Sequence, residues 1–363
     1  MKSGSVSLSC SGLLFWSAPG FTDGVQISRP IFFRLVLVCA FVATWMQNLA
    51  FAWDPEGHEL VATMAYARLN PKAQQAVTAL ACEIQSPNQP YNAVTLACWM
   101  DDLRKNDPGL TDHGLFFSWH YIDIGLDPGD PRPSFEPGDD NERRGNVVQA
   151  LKRSLVVLKG GSDPYIKSKA MACAMAMHLV GDIHQPLHAA TKYFMTRGEL
   201  HQDSGGNKEE VSNGPAGMER FSLHQFWDSA WRASFDSVSG CVVLDQRFQD
   251  RGIHDPQAVR ALAEALSKQG ASQIPVGGID IDRWALESHQ LAHDFAYREI
   301  TATENKKYCR LSSGYVARAN ALARERLVLA ADRLAVLLNN TLGADVPSNP
   351  PPSYPPGPRS VEY

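Results

Sequence analysis

Residues 178–188 read HLVGDIHQPLH and end a helical run that begins at Lys167. Within this run, Met, Ala, Leu and Val occupy nearly every face of the predicted helix, so we expect the helix to be buried. His178 and Asp182 lie four residues apart, which directs both side chains to the same face. Pro186 ends the helix, and His188 follows on the turn beyond it. Burying a histidine and a carboxylate is unfavourable without partners, and a metal ion provides them.

The rest of the chain from residue 53 onward also shows mainly helical spacing of apolar residues. Besides Lys167–Asp182, helices are predicted over Glu56–Leu69, Asn146–Leu158, Leu223–Ser234, Pro256–Ser267, Asp282–Ile300 and Tyr315–Leu342. Strand signals occur at Trp119–Ile124 and Cys241–Leu244. We therefore predict an all-α fold that consists of one helical domain with long loops.

Two loops and a tail set the limits of this predicted domain. Gly125–Asp140 contains four prolines and three glycines, which excludes a helix there. Thr191–Arg220 is rich in Gly, Asn and Glu, and a loop of this length in a compact domain is either functional or a tolerated insertion. Residues 345–363 are rich in proline and predict a disordered tail. The folded domain is thus expected over residues 53–344.

The composition is that of an ordinary globular protein. Of 363 residues, 44% are hydrophobic and 20% are charged, which excludes collagen-like and wholly disordered chains. The formal net charge of −5 argues against a protein that grips duplex nucleic acid by bulk electrostatic attraction. A nucleic-acid substrate held by metal ions and by base stacking remains compatible with this charge.

Residues 1–52 have the order of a secretory signal. Arg29 and Arg34 precede the apolar run Leu35–Met46, and the small-residue motif Ala50–Ala52 follows it. The apolar run has 12 residues, whereas a membrane-spanning helix needs about 20. We predict cleavage near Ala52, a secreted or periplasmic protein, and no stable membrane span after processing. An uncleaved membrane anchor is the alternative.

The processed chain would keep five cysteines, at positions 82, 98, 173, 241 and 309. An exported protein can form disulfides, although an odd number leaves at least one thiol unpaired within the chain. Sequence does not fix the pairing, and Cys241–Cys309 is the pair we favour.

Other histidines and aspartates repeat the chemistry of residues 178–188. His224 and Asp228 show the same four-residue spacing on another predicted helix. Asp101 lies on a short polar stretch, His120 in an extended run, and His58 five residues after the predicted cleavage product begins. Imidazole nitrogens combined with carboxylate oxygens are the ligands expected for catalytic zinc.

Other histidines fit a metal site less well. His289 and His293 are four residues apart, but Gln290 stands where a zinc-protease helix needs a glutamate, so we assign both to packing or to the surface. His184 lies between two candidate ligands in the chain. A turn does not easily direct both His184 and His188 inward, so His184 is not predicted to be a ligand.

Six motifs in this order resemble those of the zinc-dependent single-strand nucleases of the S1/P1 type, which share their fold with bacterial zinc phospholipase C. The motifs are WDPEGH at 53–58, WMDDLR at 99–104, HYID at 120–123, HLVGDIHQPLH at 178–188, GGN at 205–207 and LHQFWD at 223–228. Beyond Asp228 the resemblance is limited to general helicity. Two positions depart from the family pattern, with Met100 where the family has a small Ala and Ser222 where many relatives have Asn.

The resemblance implies that three zinc ions are bound. It assigns the first zinc to Asp101, His120, His178 and Asp182, the second to His188, His224 and Asp228, and the third to His58, Asp182 and the free amino group and carbonyl of Trp53. Because the amino group of Trp53 becomes a ligand only after cleavage, an uncut precursor is expected to lack a complete site.

The resemblance further implies a phosphodiesterase that cleaves single-stranded DNA and RNA to 5′-nucleotides and also accepts 3′-nucleotides. Asp123 is expected to orient the nucleophile, and Arg104 to contact phosphate or to brace the carboxylates, with a structural ion pair as the alternative for Arg104. Tyr121 is a candidate for base stacking. The alternatives are a zinc phospholipase C, whose members place Glu where Asp228 stands, and a non-catalytic zinc-binding module.

Overall fold

The computed structural model describes residues 53–84, 90–106, 113–136, 145–212, 220–248, 256–269, 277–300 and 308–344. The predicted export segment, residues 1–52, and the predicted tail, residues 345–363, lie outside the described residues. Among the described helices, none combines the length and the apolar character that crossing a membrane requires.

Helices make up most of the described structure. They are α1 Pro55–Tyr66, α2 Pro71–Glu83, α3 Trp99–Asn106, α4 His113–Ser118, α5 Val147–Leu158, α6 Lys169–Asp182, α7 Leu223–Ser229, α8 Pro256–Lys268, α9 Ile281–Leu291 and α10 Ser313–Leu342. Short 3₁₀ turns occupy Thr95–Cys98, Pro186–Ala189, Ala230–Arg232 and Gln246–Phe248, and a π-helical turn follows α9 at Ala292–Ala296. A mainly helical fold is thereby confirmed.

Polar caps explain where several helices begin. At the start of α5, the Asn146 side chain accepts hydrogen bonds from the first turn while Gln149 reaches back to the Asn146 backbone, which forms a capping box. At the start of α6, the Ser168 hydroxyl oxygen accepts a hydrogen bond from the Met171 N–H and so caps the helix. Helices α2, α3 and α4 were not predicted, although α2 has a standard helix-start signal, since Asn70 caps it and Pro71 occupies its first position.

The core is built around α6, and every residue from Ala172 to Asp182 is buried. This helix packs against α5, α2 and α10, while α10 also packs along α1. The buried Trp227 indole donates a 2.9 Å hydrogen bond to the hydroxyl of Tyr315 and so links α7 to α10. The apolar surface of α6 on all sides therefore has the burial that its composition predicts.

Three small sheets correct the prediction of an all-α fold. The strands are β1 Tyr193–Thr196, β2 Glu199–Gln202, β3 Glu210–Ser212, β4 Arg220–Ser222, β5 Ala233–Asp236, β6 Cys241–Leu244 and β7 Cys309–Arg310. β1 pairs with β2 and β5 with β6, while β3 lies between an antiparallel β4 and a parallel β7. The strand predicted at Cys241–Leu244 is confirmed. The loop predicted at Thr191–Arg220 is wrong, because it contains three of these strands and the first residue of a fourth.

The other predicted strand, Trp119–Ile124, is not part of a named strand in the structure. The segment nevertheless runs alongside residues 188–191. The Ile122 N–H donates to the His188 carbonyl at 2.8 Å, and the Thr191 N–H donates to the Ile124 carbonyl at 2.9 Å. These bonds hold His120 beside the turn that follows α6.

The expected disulfide does not form. Neither Cys241 nor Cys309 forms a disulfide, and the other three cysteines of the described residues form none either. The Cys241 sulfur faces the carbonyl of Ser239 at 3.5 Å, and the Cys309 sulfur faces that of Arg310 at 3.7 Å. The two cysteines lie on strands of different sheets, so the strand register does not pair them.

Candidate metal centre

Three groups of histidine and aspartate side chains form in and around the C-terminal end of α6. They are His58–Asp101–His178, His120–His178–Asp182 and His188–His224–Asp228, and the possible ligand atoms of each group lie within 4.8 Å of one another. All of these residues are buried. The groups contain eight of the nine predicted ligand residues.

The group at the end of α6 brings two aspartates and two histidines together. His178 Nε2 lies 3.2 Å from Asp182 Oδ2, as the four-residue helical spacing predicts. His120 Nδ1 lies 3.0 Å from the same Asp182 oxygen and 3.0 Å from His178 Nε2. Asp101, at the start of α3, approaches His178 Nε2 to 3.8 Å. Four side chains from three separate segments therefore point at one small volume.

His58 and Trp53 reach the opposite side of the same carboxylate. His58 Nε2 lies 3.3 Å from Asp182 Oδ1, and the His58 ring stacks on that of His178 with 3.9 Å between ring centroids. A Cβ on Gly181 would lie 2.8 Å from His58 Nδ1, so only glycine permits this approach. The buried Trp53 indole donates to the Gly181 carbonyl at 2.9 Å, which fixes Trp53 next to Asp182.

The second cluster joins the turn after α6 to helix α7. His188 Nε2 and His224 Nε2 are 3.1 Å apart, and His224 Nε2 is 3.7 Å from Asp228 Oδ1. His224 and Asp228 are four residues apart on α7, so the helix directs both toward His188. The Gln185 amide donates to Asp228 Oδ1 at 2.8 Å and orients that carboxylate.

Backbone carbonyls orient three of the histidines. The Nδ1 atoms of His178, His188 and His224 lie 2.7 Å from the carbonyl oxygens of Ala97, His120 and Gly205, respectively. A carbonyl oxygen only accepts hydrogen bonds, so each Nδ1 carries the proton and each Nε2 presents a lone pair. This arrangement is the usual support for a histidine that binds metal through Nε2.

The donor chemistry fits zinc. Since both Nε2 atoms of His188 and His224 present lone pairs 3.1 Å apart, they repel one another unless a cation lies between them and the neighbouring Asp228. Imidazole nitrogens and carboxylate oxygens in buried groups of three or four match the zinc preference for nitrogen and oxygen ligands.

Electrostatics at the end of α6 also favour a cation. Burial opposes ionisation of Asp182, but His178 and the histidine hydrogen bonds outweigh it and hold the pKa of this carboxyl well below its usual range. Burial likewise opposes charging of His178, but Asp182 and Asp101 raise its pKa to about 9. A cation bound here would take the place of the proton that these carboxylates otherwise favour on His178 Nε2.

Asp228 behaves in the opposite way. Burial raises its pKa well above the ordinary value, although the hydrogen bond from Gln185 lowers it in part. The two clusters therefore differ in how firmly they hold negative charge.

His184 is not directed at the metal centre, as expected. Its Nδ1 lies 2.7 Å from the Val180 carbonyl, and its Nε2 lies 2.9 Å from Nη1 of Arg333. His289 faces the Ala189 carbonyl, and His293 is an exposed partner of Asp294.

The residues predicted to assist catalysis are placed less completely. Arg104 lies on α3, and its side chain is outside the described residues. Asp123 faces Gln202 and Asp203, and burial together with the Asp203 charge raises its pKa to about 6. Tyr121 packs its ring edge-on against the half-exposed Phe117, with 6.0 Å between ring centroids. The roles of all three residues stay predictions.

Sequence reasoning missed the residues that hold the ligands in place. Gln185 lies inside the motif at 178–188, and its amide between two candidate ligands was the available signal. Gly205 has a φ of +64°, and a Cβ there would lie 2.7 Å from the Leu187 carbonyl. Glycine at this position therefore lets the loop bring its carbonyl to His224.

Comparison with known proteins agrees with this geometry. Residues 53–343 match the family model described as S1/P1 nuclease. The chain is 24% identical over 327 residues to Endonuclease 2 of Arabidopsis thaliana, covering 85% of this chain and 98% of that protein. It is 25% identical over 322 residues to Endonuclease 3 of the same plant, covering 86% and 96% of the two chains. Nuclease S1 of Aspergillus oryzae is 24% identical over 189 residues, or 51% of this chain and 56% of that one.

The family match spans all three His/Asp groups and most of the chain. The chain therefore belongs to the S1/P1 nuclease family and is a zinc-dependent endonuclease, a hydrolase.

Proposed function

We propose that this protein is a secreted phosphodiesterase that holds three zinc ions, cleaves single-stranded DNA and RNA to 5′-nucleotides, and removes phosphate from 3′-nucleotides. The observation that carries the proposal is the convergence of buried Nε2 lone pairs and carboxylates at the end of α6 and on α7. Zinc bound there would activate water and polarise a phosphoryl oxygen.

Asp182 is suited to bridge two of the zinc sites. Its Oδ1 faces His58 at 3.3 Å, whereas its Oδ2 faces His120 and His178 at 3.0 and 3.2 Å. Each carboxylate oxygen of Asp182 thus faces a different set of candidate histidine ligands. The proposed third site would be completed by the backbone of Trp53, whose amino group becomes available only after cleavage behind Ala52.

The protein fixes the spacing between the clusters through its backbone. The carbonyl of His120 accepts the hydrogen bond of His188 Nδ1, so a ligand of the first cluster directly orients a ligand of the second. The Asp54 N–H donates to the Asp228 carbonyl at 3.2 Å, which ties the start of the domain to α7. Such fixed geometry is what phosphodiester cleavage by clustered metal ions requires.

Asp123 supports the proposal through its acidity. A pKa of about 6 lies close to neutral pH, where a carboxyl group exchanges protons most usefully during catalysis. We assign to it the orientation of the attacking water. As the water oxygen bonds to phosphorus, the bond between phosphorus and the 3′-oxygen breaks and the proton of the water passes to that oxygen, so the products are a 5′-phosphate and a 3′-hydroxyl.

The proposed substrate is single-stranded because the chain lacks a basic excess. A net charge of −5 does not favour tracking along a duplex, whereas a splayed base can stack on Tyr121, next to His120.

The test combines metal analysis, N-terminal sequencing and activity on the processed protein. We expect about three zinc equivalents, a Trp53 N-terminus, and hydrolysis of a single-stranded oligonucleotide in preference to its duplex. Asp228→Ala should lose most of this activity in zinc-replete buffer, and the exposed Asp294→Ala should keep it. Full activity of Asp228→Ala would contradict the proposed site, and hydrolysis of phosphatidylcholine in place of nucleic acid would make the protein a phospholipase.

A further inference from the structure

The β1–β2 hairpin carries an unusual amount of exposed apolar surface. Phe194 is 40% exposed, Met195 64% and Leu200 55%. Single exposed apolar residues are normal on a protein surface, but three within one short hairpin leave apolar surface on both of its faces, and either face could contact a ligand.

The hairpin grows directly out of the candidate metal centre. β1 begins five residues after His188, and Gly205, whose carbonyl holds His224, lies three residues after β2. At the base, the Thr191 hydroxyl donates to Asp203 Oδ1 at 3.1 Å and joins the two strands. The hairpin therefore begins and ends close in the chain to residues that form or support the His188–His224–Asp228 cluster.

The strand register gives the hairpin two different faces. Phe194 lies opposite His201 on one face, and Met195 lies opposite Leu200 on the other. The rings of Phe194 and His201 are stacked, with 5.9 Å between centroids and 25° between planes. Because the Asp203 N–H donates to the Lys192 carbonyl, Lys192 extends the ladder on the Phe194 face, about 7 Å away along the strand.

A cavity lies at the base of the hairpin. It has a volume of about 370 Å³ and is lined by Leu126, Asp127, Lys192, His293, Tyr297 and Arg298. The lining contains two permanent cations and one carboxylate. Lys192 forms a 2.8 Å ion pair with Glu209, and its side chain is 45% exposed. The volume is within the range of small-molecule sites.

An aromatic ring beside cations is the combination that binds single-stranded nucleic acid, since bases stack on the ring and phosphates pair with the cations. We propose that Phe194, Lys192 and Arg298 form a subsite for a nucleotide of the substrate strand outside the metal centre. This inference rests on the proposed function. Lys192 follows His188 by four residues, at most about 14 Å of extended chain, so a short oligonucleotide reaches both places.

The test compares two substrates on the zinc-loaded protein, a dinucleotide and a single-stranded octanucleotide. Phe194→Ala should raise KM for the octanucleotide about tenfold and leave the dinucleotide within about twofold. Phe194→Trp should restore the octanucleotide KM, because it retains a ring. Met195→Ser and Leu200→Ser, on the opposite face, should behave like the unmodified protein. Arg298→Gln should weaken octanucleotide binding and reduce its salt dependence.

Three results would overturn the subsite. The first is an unchanged octanucleotide KM in Phe194→Ala, and the second is an equal change of KM for the dinucleotide and the octanucleotide. The third is that Met195→Ser raises the octanucleotide KM as much as Phe194→Ala does and also abolishes binding to phosphatidylcholine vesicles, which would make the hairpin a lipid contact. Binding of a phosphorothioate octanucleotide separates the two proposals. If this analogue binds in a Phe194-dependent way but the ordinary octanucleotide is not cleaved, the subsite is supported and the proposed function fails. If the ordinary octanucleotide is cleaved but binding of the analogue does not depend on Phe194, the proposed function is supported and the subsite fails.

Discussion

Residues 178–188 contribute to two buried polar clusters, and the buried imidazole nitrogens of the two clusters are satisfied in different ways. In the metal centre, His188 and His224 turn their Nε2 lone pairs toward each other at 3.1 Å. Behind it, His184 has both nitrogens engaged by the protein itself, Nδ1 by the Val180 carbonyl and Nε2 by Arg333. The metal centre needs a cation from outside, whereas the group around His184, here called the arginine cluster, already contains its cations.

Two arginines of α10 complete the arginine cluster. Arg326 donates to the His184 carbonyl at 3.0 Å and to Ser288 at 2.8 Å, while Arg333 also pairs with Glu287 at 2.7 Å. Burial and the two guanidinium groups hold the pKa of His184 well below its usual range, so its imidazole stays neutral and accepts from Arg333. A buried histidine therefore indicates a metal site only where the protein leaves its second nitrogen facing other ligands.

The largest expected effect comes from the carboxylate shared within the metal centre. Asp182→Asn removes the negative charge that faces His58, His120 and His178, so zinc should be lost from two sites at once. We expect activity on single-stranded DNA to fall by at least about 1,000-fold. Zinc analysis and kcat/KM on the same preparation measure both consequences.

Asp163→Asn is the matched control for this change. Asp163 is also buried, but it pairs with Arg153 at 2.9 Å, on α5. It should lose stability while it keeps its zinc. If Asp182→Asn retained a full zinc complement, the distinction between the two kinds of cluster would fail.

The arginine cluster should show the opposite pattern, with a loss of stability and no loss of zinc. Arg333→Met leaves His184 and Glu287 with an incomplete set of partners in a buried position. Breaking such a pair lowers the free energy of unfolding by about 3 to 5 kcal/mol. Chemical denaturation of the zinc-loaded protein measures this loss, and the zinc content of the folded fraction should stay unchanged.

An exposed ion pair gives the comparison for Arg333. Arg318 bonds to Glu299 at 3.1 Å with both side chains largely exposed. Arg318→Met should therefore change the free energy of unfolding by less than about 1 kcal/mol. Loss of zinc from folded Arg333→Met protein would show that the arginine cluster belongs functionally to the metal centre.

Two carboxylates, the fully buried Asp182 and the partly buried Asp123, allow the same comparison by pH. Asp182 is held ionised, whereas Asp123 has its pKa raised to about 6 by burial and by Asp203. In the unfolded chain Asp123 ionises near 3.8, so at pH 7 its buried charge opposes folding by up to about 3 kcal/mol. Asp123→Asn should be more stable than the parent above pH 6, and this advantage should disappear as the pH falls from 6 to 4.

Thermal unfolding of both proteins across this pH range tests the expectation, because only the difference between them is read. The exposed Asp127→Asn, measured in the same way, is the control. An advantage of Asp123→Asn that is independent of pH would mean that the pKa of Asp123 is the same in the folded and unfolded chains, so that burial does not raise it. Activity is a separate readout, and its loss in Asp123→Asn would support the proposed catalytic role.

The sequence predicts the helices well and the strands poorly, for a physical reason. The run before His178 is apolar on every side, and caps such as Ser168 mark its start, so α6 follows from local pattern. The β1–β2 hairpin is exposed on both faces, so Phe194 and Met195 give no alternation of apolar and polar residues. Its turn depends on positive φ at Arg197 and Gly198, which composition alone does not indicate.

The candidate site divides along a similar line. The pairs His178–Asp182 and His224–Asp228 follow from helical spacing alone. The meeting of His58 with α6 does not, because it depends on contacts between segments more than 100 residues apart, and only the family resemblance predicted it. The supporting carbonyls, such as that of Ala97, carry no sequence signal, because any residue provides a carbonyl.

The smallest expected effect lies at the start of α7, which carries His224 and Asp228. Ser222 accepts a hydrogen bond from the Gln225 N–H at 3.0 Å, and the Gln225 side chain accepts one from the Ser222 N–H at 3.0 Å. Ser222→Ala removes this cap and should lower the free energy of unfolding by about 1 kcal/mol. Ser222→Asn keeps a good cap and should restore it. Denaturation of both variants measures this, and kcat/KM decides what else the position does. If Ser222 acts only as a cap, Asn leaves kcat/KM unchanged, whereas a change in base preference with Asn at equal stability would mean that this position also contacts substrate.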